Sequence, residues 1–313
     1  MEINEKNEDI VNAPVDASEP APTATKGEMR CTFSRIALGL CLSLLASQLI
    51  PVALGLIPNF DLKAHSFLVG ALCTGCFTLP LMLLLTRRMP AKKAEKSSLS
   101  VGGFLALVSI SYACMILGNL IGIGINTLFS PGSIELVSNL ATSIGSPLEM
   151  LLAFVVLAPV FEELVFRNIL VDRVLPYGEW PAILFSGLTF GLFHGNLTQF
   201  FYAFLLGMVL SYVYIRTGKI LYTIGIHACL NCMGGLLPVL FPPITYILLL
   251  VALVGLVLFF VLKDRIHVQR NVMPGAGAAM FSNAGMILLL LLSGFLMALV
   301  AIVMNHPELT SLL

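Results

Sequence analysis

Four acidic or imidazole side chains break otherwise apolar stretches of this 313-residue chain: Glu162, Glu163, His194 and His227. They fall in three short clusters, Glu162-Glu163-Leu-Val-Phe-Arg167, Phe190-Gly-Leu-Phe-His194 and His227-Ala-Cys-Leu-Asn231. A charge at the centre of a membrane helix costs roughly 2.5–3.5 kcal/mol on insertion scales, so each cluster needs a partner or a function. Glu163 and Arg167, at i and i+4, share a helix face in the favourable acid-before-base order. Glu162 is turned by about 100° from Glu163, which leaves it free to face a polar cavity while Glu163 pairs with the arginine. His227 and Asn231 also share a face, so the amide can bond the imidazole or donate to a substrate carbonyl.

Taken singly, each cluster has a plainer reading. Both acids can serve Arg167 and interfacial groups, His194 can pack at a helix end, and His227 with Asn231 can be a polar packing pair. Together they point to three helices turning their few polar groups into one wet pocket. A carboxylate and two histidines make a water-activating set, with Glu162 as general base and a histidine as proton donor to a leaving amine. Histidine or asparagine N–H groups would meet the developing oxyanion. Such a set suits peptide-bond hydrolysis. Two histidines and a carboxylate with an open fourth position are also a catalytic zinc set, here Glu162, His194 and His227. The HExxH signature is missing, so zinc stays an alternative and no cofactor is assured.

The elements that must position these groups are membrane helices. Hydrophobic residues make up 58% of the chain and charged ones 11%, with mean hydropathy +0.96, which excludes an ordinary water-soluble domain. Nine apolar runs recur, at about 34–57, 66–86, 101–129, 147–169, 180–194, 199–215, 220–237, 243–262 and 284–304. The alternation of a β-barrel is absent. A weakly polar loop, with room for a short interfacial helix, is expected at 130–146, and a Gly-rich link at 274–279. Gly118, Gly122 and Gly124 offer a face for close helix packing. With the N-terminus in the cytoplasm and each run crossing once, 16 of the 17 basic residues fall on the cytoplasmic side, Lys63 alone lying outside. This supports an odd number of crossings, with eight helices left open if one run lies on the surface or re-enters.

Depth fits imperfectly. Arg167 reads as the cytoplasmic end of its helix, which would put Glu162 only about 7–8 Å inside. His227 would lie about 12 Å in and His194 about 21 Å along its own run.

The remaining features carry less. The stretch Met1–Glu28 holds 7 of the 17 acids with Pro14, Pro20 and Pro22, and reads as a disordered cytoplasmic tail. The seven cysteines, including the Cys73/Cys76 and Cys229/Cys232 pairs, lie in apolar surroundings and read as small core residues rather than thiolate ligands. Asn196-Leu-Thr198 matches a glycosylation acceptor too close to the membrane to be used. Zero net charge gives no bias toward nucleic acid. No internal repeat is evident, which weighs against a secondary transporter.

The three clusters, in this order and spacing, resemble the motifs of the CAAX prenyl protease and bacteriocin-processing family, also called Abi or CPBP: Glu-Glu-x-x-x-Arg, Phe-x-x-x-His and His-x-x-x-Asn. The resemblance covers about 145–240. It implies an intramembrane glutamic-type protease of bacterial type, with Glu162 activating water and His194, His227 and Asn231 completing the site. Glu163, Arg167 and Phe190 would support them. It also implies a conical cavity with lateral access for a hydrophobic or lipid-anchored peptide.

The expected architecture is an all-α polytopic bundle of about 8–9 helices. Residues 1–30 form a tail, 31–140 N-terminal helices, 141–240 the catalytic core and 241–313 C-terminal helices. The expected location is a bacterial cytoplasmic membrane. Two other readings remain: a non-catalytic immunity or scaffold protein, and a transporter using the cluster as an ion site.

Overall fold

A computed structural model of the chain describes residues 24–62, 64–129, 146–269 and 271–305. The expected tail to residue 23 and the expected loop lie outside the described residues, apart from Ser146 at the loop's end. The described residues are helical, with short connections and no strand. We number the helices α1 (Lys26–Gly55), α2 (Ser66–Thr86), α3 (Val101–Phe129), α4 (147–174), α5 (Glu179–Phe193), α6 (Leu197–Thr217), α7 (Ile220–Leu240), α8 (Ile244–Leu262), α9 (Ala276–Phe281) and α10 (Ala284–Asn305).

Seven of these, α1, α2, α3, α6, α7, α8 and α10, are long and apolar enough to cross a membrane, which makes the protein an integral multi-pass one. On α8 and α10 most side chains stay outside the bundle, as lipid-facing helices require: Leu250 and Val261 on α8 and Leu291 on α10 are exposed. The helix α5 is the opposite case. It is only 15 residues long and buried along most of its length, with Phe185 and Phe190 in the largest apolar cluster.

Two helix starts differ from the apolar pattern for local reasons. The first begins at Lys26, eight residues ahead of its apolar run and inside the expected tail. A capping box sets it: the Glu28 amide donates to the Thr25 hydroxyl at 3.2 Å and the Thr25 amide donates to the Glu28 carboxylate at 2.7 Å. The second is α6, where Asn196 caps the helix by accepting from the amides of Thr198 at 2.9 Å and Gln199 at 3.4 Å. Replacing Asn196 with Ala should lower stability by about 1 kcal/mol. Thermal melting in detergent checks this. The Gly-rich link also holds more order than expected, since α9 forms within it.

Basic loops gather at one end of the bundle. Lys93 pairs with Asp172, Arg173 donates to the Thr86 carbonyl at 3.1 Å, and the Ser97 amide donates to the Thr217 carbonyl at 2.8 Å. Arg216 pairs with Glu179, and the Tyr177 hydroxyl meets Thr32 at 2.8 Å. The opposite end brings His65, before α2, to Glu149 at the start of α4 at 3.1 Å. Successive helices that alternate direction produce this sorting of loops.

Small residues set a close contact between α3 and α6. A Cβ on Gly118 would sit 2.3 Å from the Tyr202 Cα, and one on Gly122 would sit 2.6 Å from the Thr198 carbonyl oxygen. Gly124, expected in the same seam, faces open space. It lies outside the i, i+4 row of the other two. Gly118→Leu should therefore force α3 and α6 apart at a cost of about 1–3 kcal/mol or more, while Gly124→Leu should be tolerated. Melting of the two variants side by side checks this.

Candidate active site

The site is built where α4, α5 and α7 meet. Along α4 the backbone alternates ordinary α-turns with wider π-turns over 150–157 and 164–171, and the two glutamates lie on the α-helical stretch between them. Such π-turns occur mostly as local insertions and often at functional positions. The helix does not end at Arg167. It continues to Val174, and Arg167 is fully buried rather than interfacial. The depth mismatch of Glu162 narrows with this correction. Glu162 stands twelve residues from the basic end of α4, about 18 Å in, between the levels expected for His227 and His194. The loss of hydropathy at Arg167 looked like an interface because its compensating partners come from elsewhere in the fold.

Those partners form a chain. The buried Glu163 carboxylate accepts a hydrogen bond from His227 Nδ1 at 2.9 Å and faces Arg167 Nε at 3.1 Å. On its other side, His227 places Nε2 3.7 Å from a Glu162 oxygen. The two glutamates differ in access: Glu163 and Arg167 are 0% exposed, whereas the Glu162 side chain is 18% exposed. With Nδ1–H given to Glu163, Nε2 is the nitrogen His227 presents to Glu162. The gap of 3.7 Å is too long for a direct hydrogen bond.

Phe190 is the apolar hub. Its ring meets His194 edge-on at 5.0 Å between centroids and His227 at 5.7 Å, and the Arg167 guanidinium carbon lies 4.9 Å from its centroid. That cation–π contact matters because the terminal nitrogens of Arg167 have no hydrogen-bond acceptor among the described residues. His194 caps the end of α5, and its Nδ1 bonds the Phe190 carbonyl at 2.8 Å. Neither glutamate pairs with His194 within the 4.0 Å that defines an ion pair.

Asn231 stands apart from the expectation that it bonds the imidazole or a substrate. Its amide donates to the Phe154 carbonyl at 2.8 Å, joining α7 to α4. Among the described residues, no three His, Cys, Asp or Glu side chains are gathered closely enough to hold a metal ion. The set Glu162, His194 and His227 is not gathered in this way, so this arrangement does not fit a three-ligand zinc centre. The cysteines form no disulfide and join no such group.

Tyr202 on α6 is the site neighbour that sequence reasoning missed. Its ring lies 6.2 Å from that of His194 and within electrostatic range of Glu162. Within an apolar helix a tyrosine looks like packing, and only the turn at Gly195, with φ of 57°, swings α6 back so that Tyr202 faces α5.

Residues 144–233 match the family model described as type II CAAX prenyl endopeptidase, Rce1-like. This segment is similar to the CAAX protease family. No curated protein and no solved structure matches the chain. The matched segment spans all three clusters, from Glu162 to Asn231, and ends just beyond the asparagine. The helices α1, α2, α3, α8, α9 and α10 lie outside it.

Proposed function

We propose that the protein is an intramembrane endopeptidase that hydrolyses a peptide bond in a hydrophobic or lipid-anchored substrate. The observation that carries this reading is the continuous run of charge partners, Arg167 to Glu163 to His227 to Glu162, ending at the one member with solvent access. A buried ion pair without function would need no such open end.

In this reading Glu162 takes a proton from water, and the hydroxide adds to the substrate carbonyl carbon. The negative charge then forming on the carbonyl oxygen is met by an imidazole N–H. The proton held by Glu162 passes to the nitrogen as the C–N bond breaks, and a histidine can complete that transfer. Glu163 fixes the ring of His227, as a carboxylate does for an imidazole in hydrolases of other folds. His194 and Phe190 close the opposite wall. The reaction needs no metal-bound step.

The basic end of the bundle faces the cytoplasm in this proposal, and substrate enters between helices from the lipid. The test is direct. Purified protein in lipid nanodiscs is incubated with a farnesylated peptide and with the same peptide lacking the lipid, and the products are read by mass spectrometry. Cleavage at one bond of the lipidated peptide supports the reading, and absence of cleavage of lipidated and hydrophobic peptides alike counts against it.

A further inference from the structure

The backbone of α4 has a gap, and Asn231 fills it. In the first π-turn stretch the amide of each residue reaches the carbonyl five positions back, as Ala158 does with Ala153. The next residue is Pro159, which has no N–H to give. The carbonyl five positions before it is that of Phe154. Its α-helical donor is lost too, because the Ala158 amide is already bonded to Ala153. An unpaired carbonyl inside a membrane protein costs several kcal/mol. The Asn231 amide occupies this vacancy at 2.8 Å.

The contact lies at a helix crossing. One turn beyond Asn231, Gly235 lets α7 approach so closely that a Cβ there would meet the Phe154 ring at 2.5 Å. One turn before Asn231 stands His227, whose Nε2 faces Glu162 on the far side of the proline. The same short piece of α4, from Phe154 through Pro159 to Glu162, therefore holds both α7 contacts.

We infer that Asn231 is a positioning residue, a latch to the carbonyl left free by Pro159, and that this latch sets the register of α7 and hence the reach of His227 toward Glu162. The inference rests on the hydrolase reading for its catalytic consequence but not for its structural one. A displacement of about 1 Å at a reacting centre can lower turnover by about 100-fold.

The experiment is a four-corner comparison of the wild-type protein, Asn231→Ala, Pro159→Ala and the double variant. Pro159→Ala supplies a backbone N–H for Phe154. We expect Asn231→Ala to lower kcat by roughly 10–100-fold with Pro159 present and by less than about threefold in the Pro159→Ala background. Should Asn231→Ala fail to fold, Asn231→Asp keeps the shape while removing the donor. In parallel, ¹⁵N-imidazole chemical shifts report the placement of the His227 ring, which needs no catalysis. Loss of the amide should change those shifts only when Pro159 is present. Equal effects of Asn231→Ala in both backgrounds, on turnover or on the His227 signal, would overturn the latch and assign the amide to substrate or to His227 directly. A background-dependent His227 signal in a protein that cleaves no peptide would keep the latch and remove the hydrolase reading.

Discussion

Glu162→Gln should abolish peptide cleavage while leaving the protein folded in the membrane. The substitution keeps the volume and one carbonyl oxygen, and it acts at a side chain with partial solvent access, so it strands no buried charge. What it removes is the ability to accept a proton from water. General-base assistance contributes about 10²–10⁴-fold, so turnover should fall by at least that range. Stability should change by less than about 0.5 kcal/mol, because Glu162 is the partly exposed end of the run and makes no direct hydrogen bond to His227. Thermal melting in nanodiscs and cleavage of a lipidated peptide measure the two halves separately. A variant that melts normally and still cleaves at the wild-type rate would refute Glu162 as the base. One that loses both fold and activity would show that the carboxylate is structural, as the plainer reading of the acidic pair holds.

This contrast between the two glutamates was legible before the fold was known. The i, i+4 spacing of Glu163 and Arg167 and the 100° offset of Glu162 are helix geometry, and the structure keeps that pair together. The helix runs were equally legible, because lipid demands long apolar stretches and loops that sort by charge. The limits of α4 were not. Hydropathy falls at Arg167, and only the ring of Phe190 from α5 and the carboxylate of Glu163 make its burial tolerable. The partner of Asn231 was hidden too. It depends on a carbonyl freed by a proline in another helix, and no property of the His227-Ala-Cys-Leu-Asn231 segment reports that. Gly118 and Gly122 announced a close approach, but which helix comes close is decided by the Gly195 turn ahead of α6.

Arg167→Met should be the most destabilising single substitution at the site. The arginine is fully buried, and its removal leaves the fully buried Glu163 with His227 as its only charge partner among the described residues. Breaking a buried pair by taking away one member costs about 3–5 kcal/mol, because the other charge stays behind uncompensated. The Arg167→Met variant should then melt far below the wild type or fail to insert stably. The paired variant Glu163→Gln/Arg167→Met should recover most of that loss, since replacing both members of a buried pair by neutral groups of similar size is often close to neutral. Activity should not return with it. His227 Nδ1 would face a neutral amide instead of a carboxylate, and the ring would lose the anchor that directs Nε2 toward Glu162. Recovery of melting without recovery of cleavage separates the two roles of Glu163, as counter-charge to Arg167 and as orienter of His227. Recovery of both would leave the orientation of His227 to Phe190 and to the latch at Asn231. Failure of the paired variant to regain stability would show that the ion pair itself, and not merely the avoidance of a lone charge, stabilises α4 in the bundle.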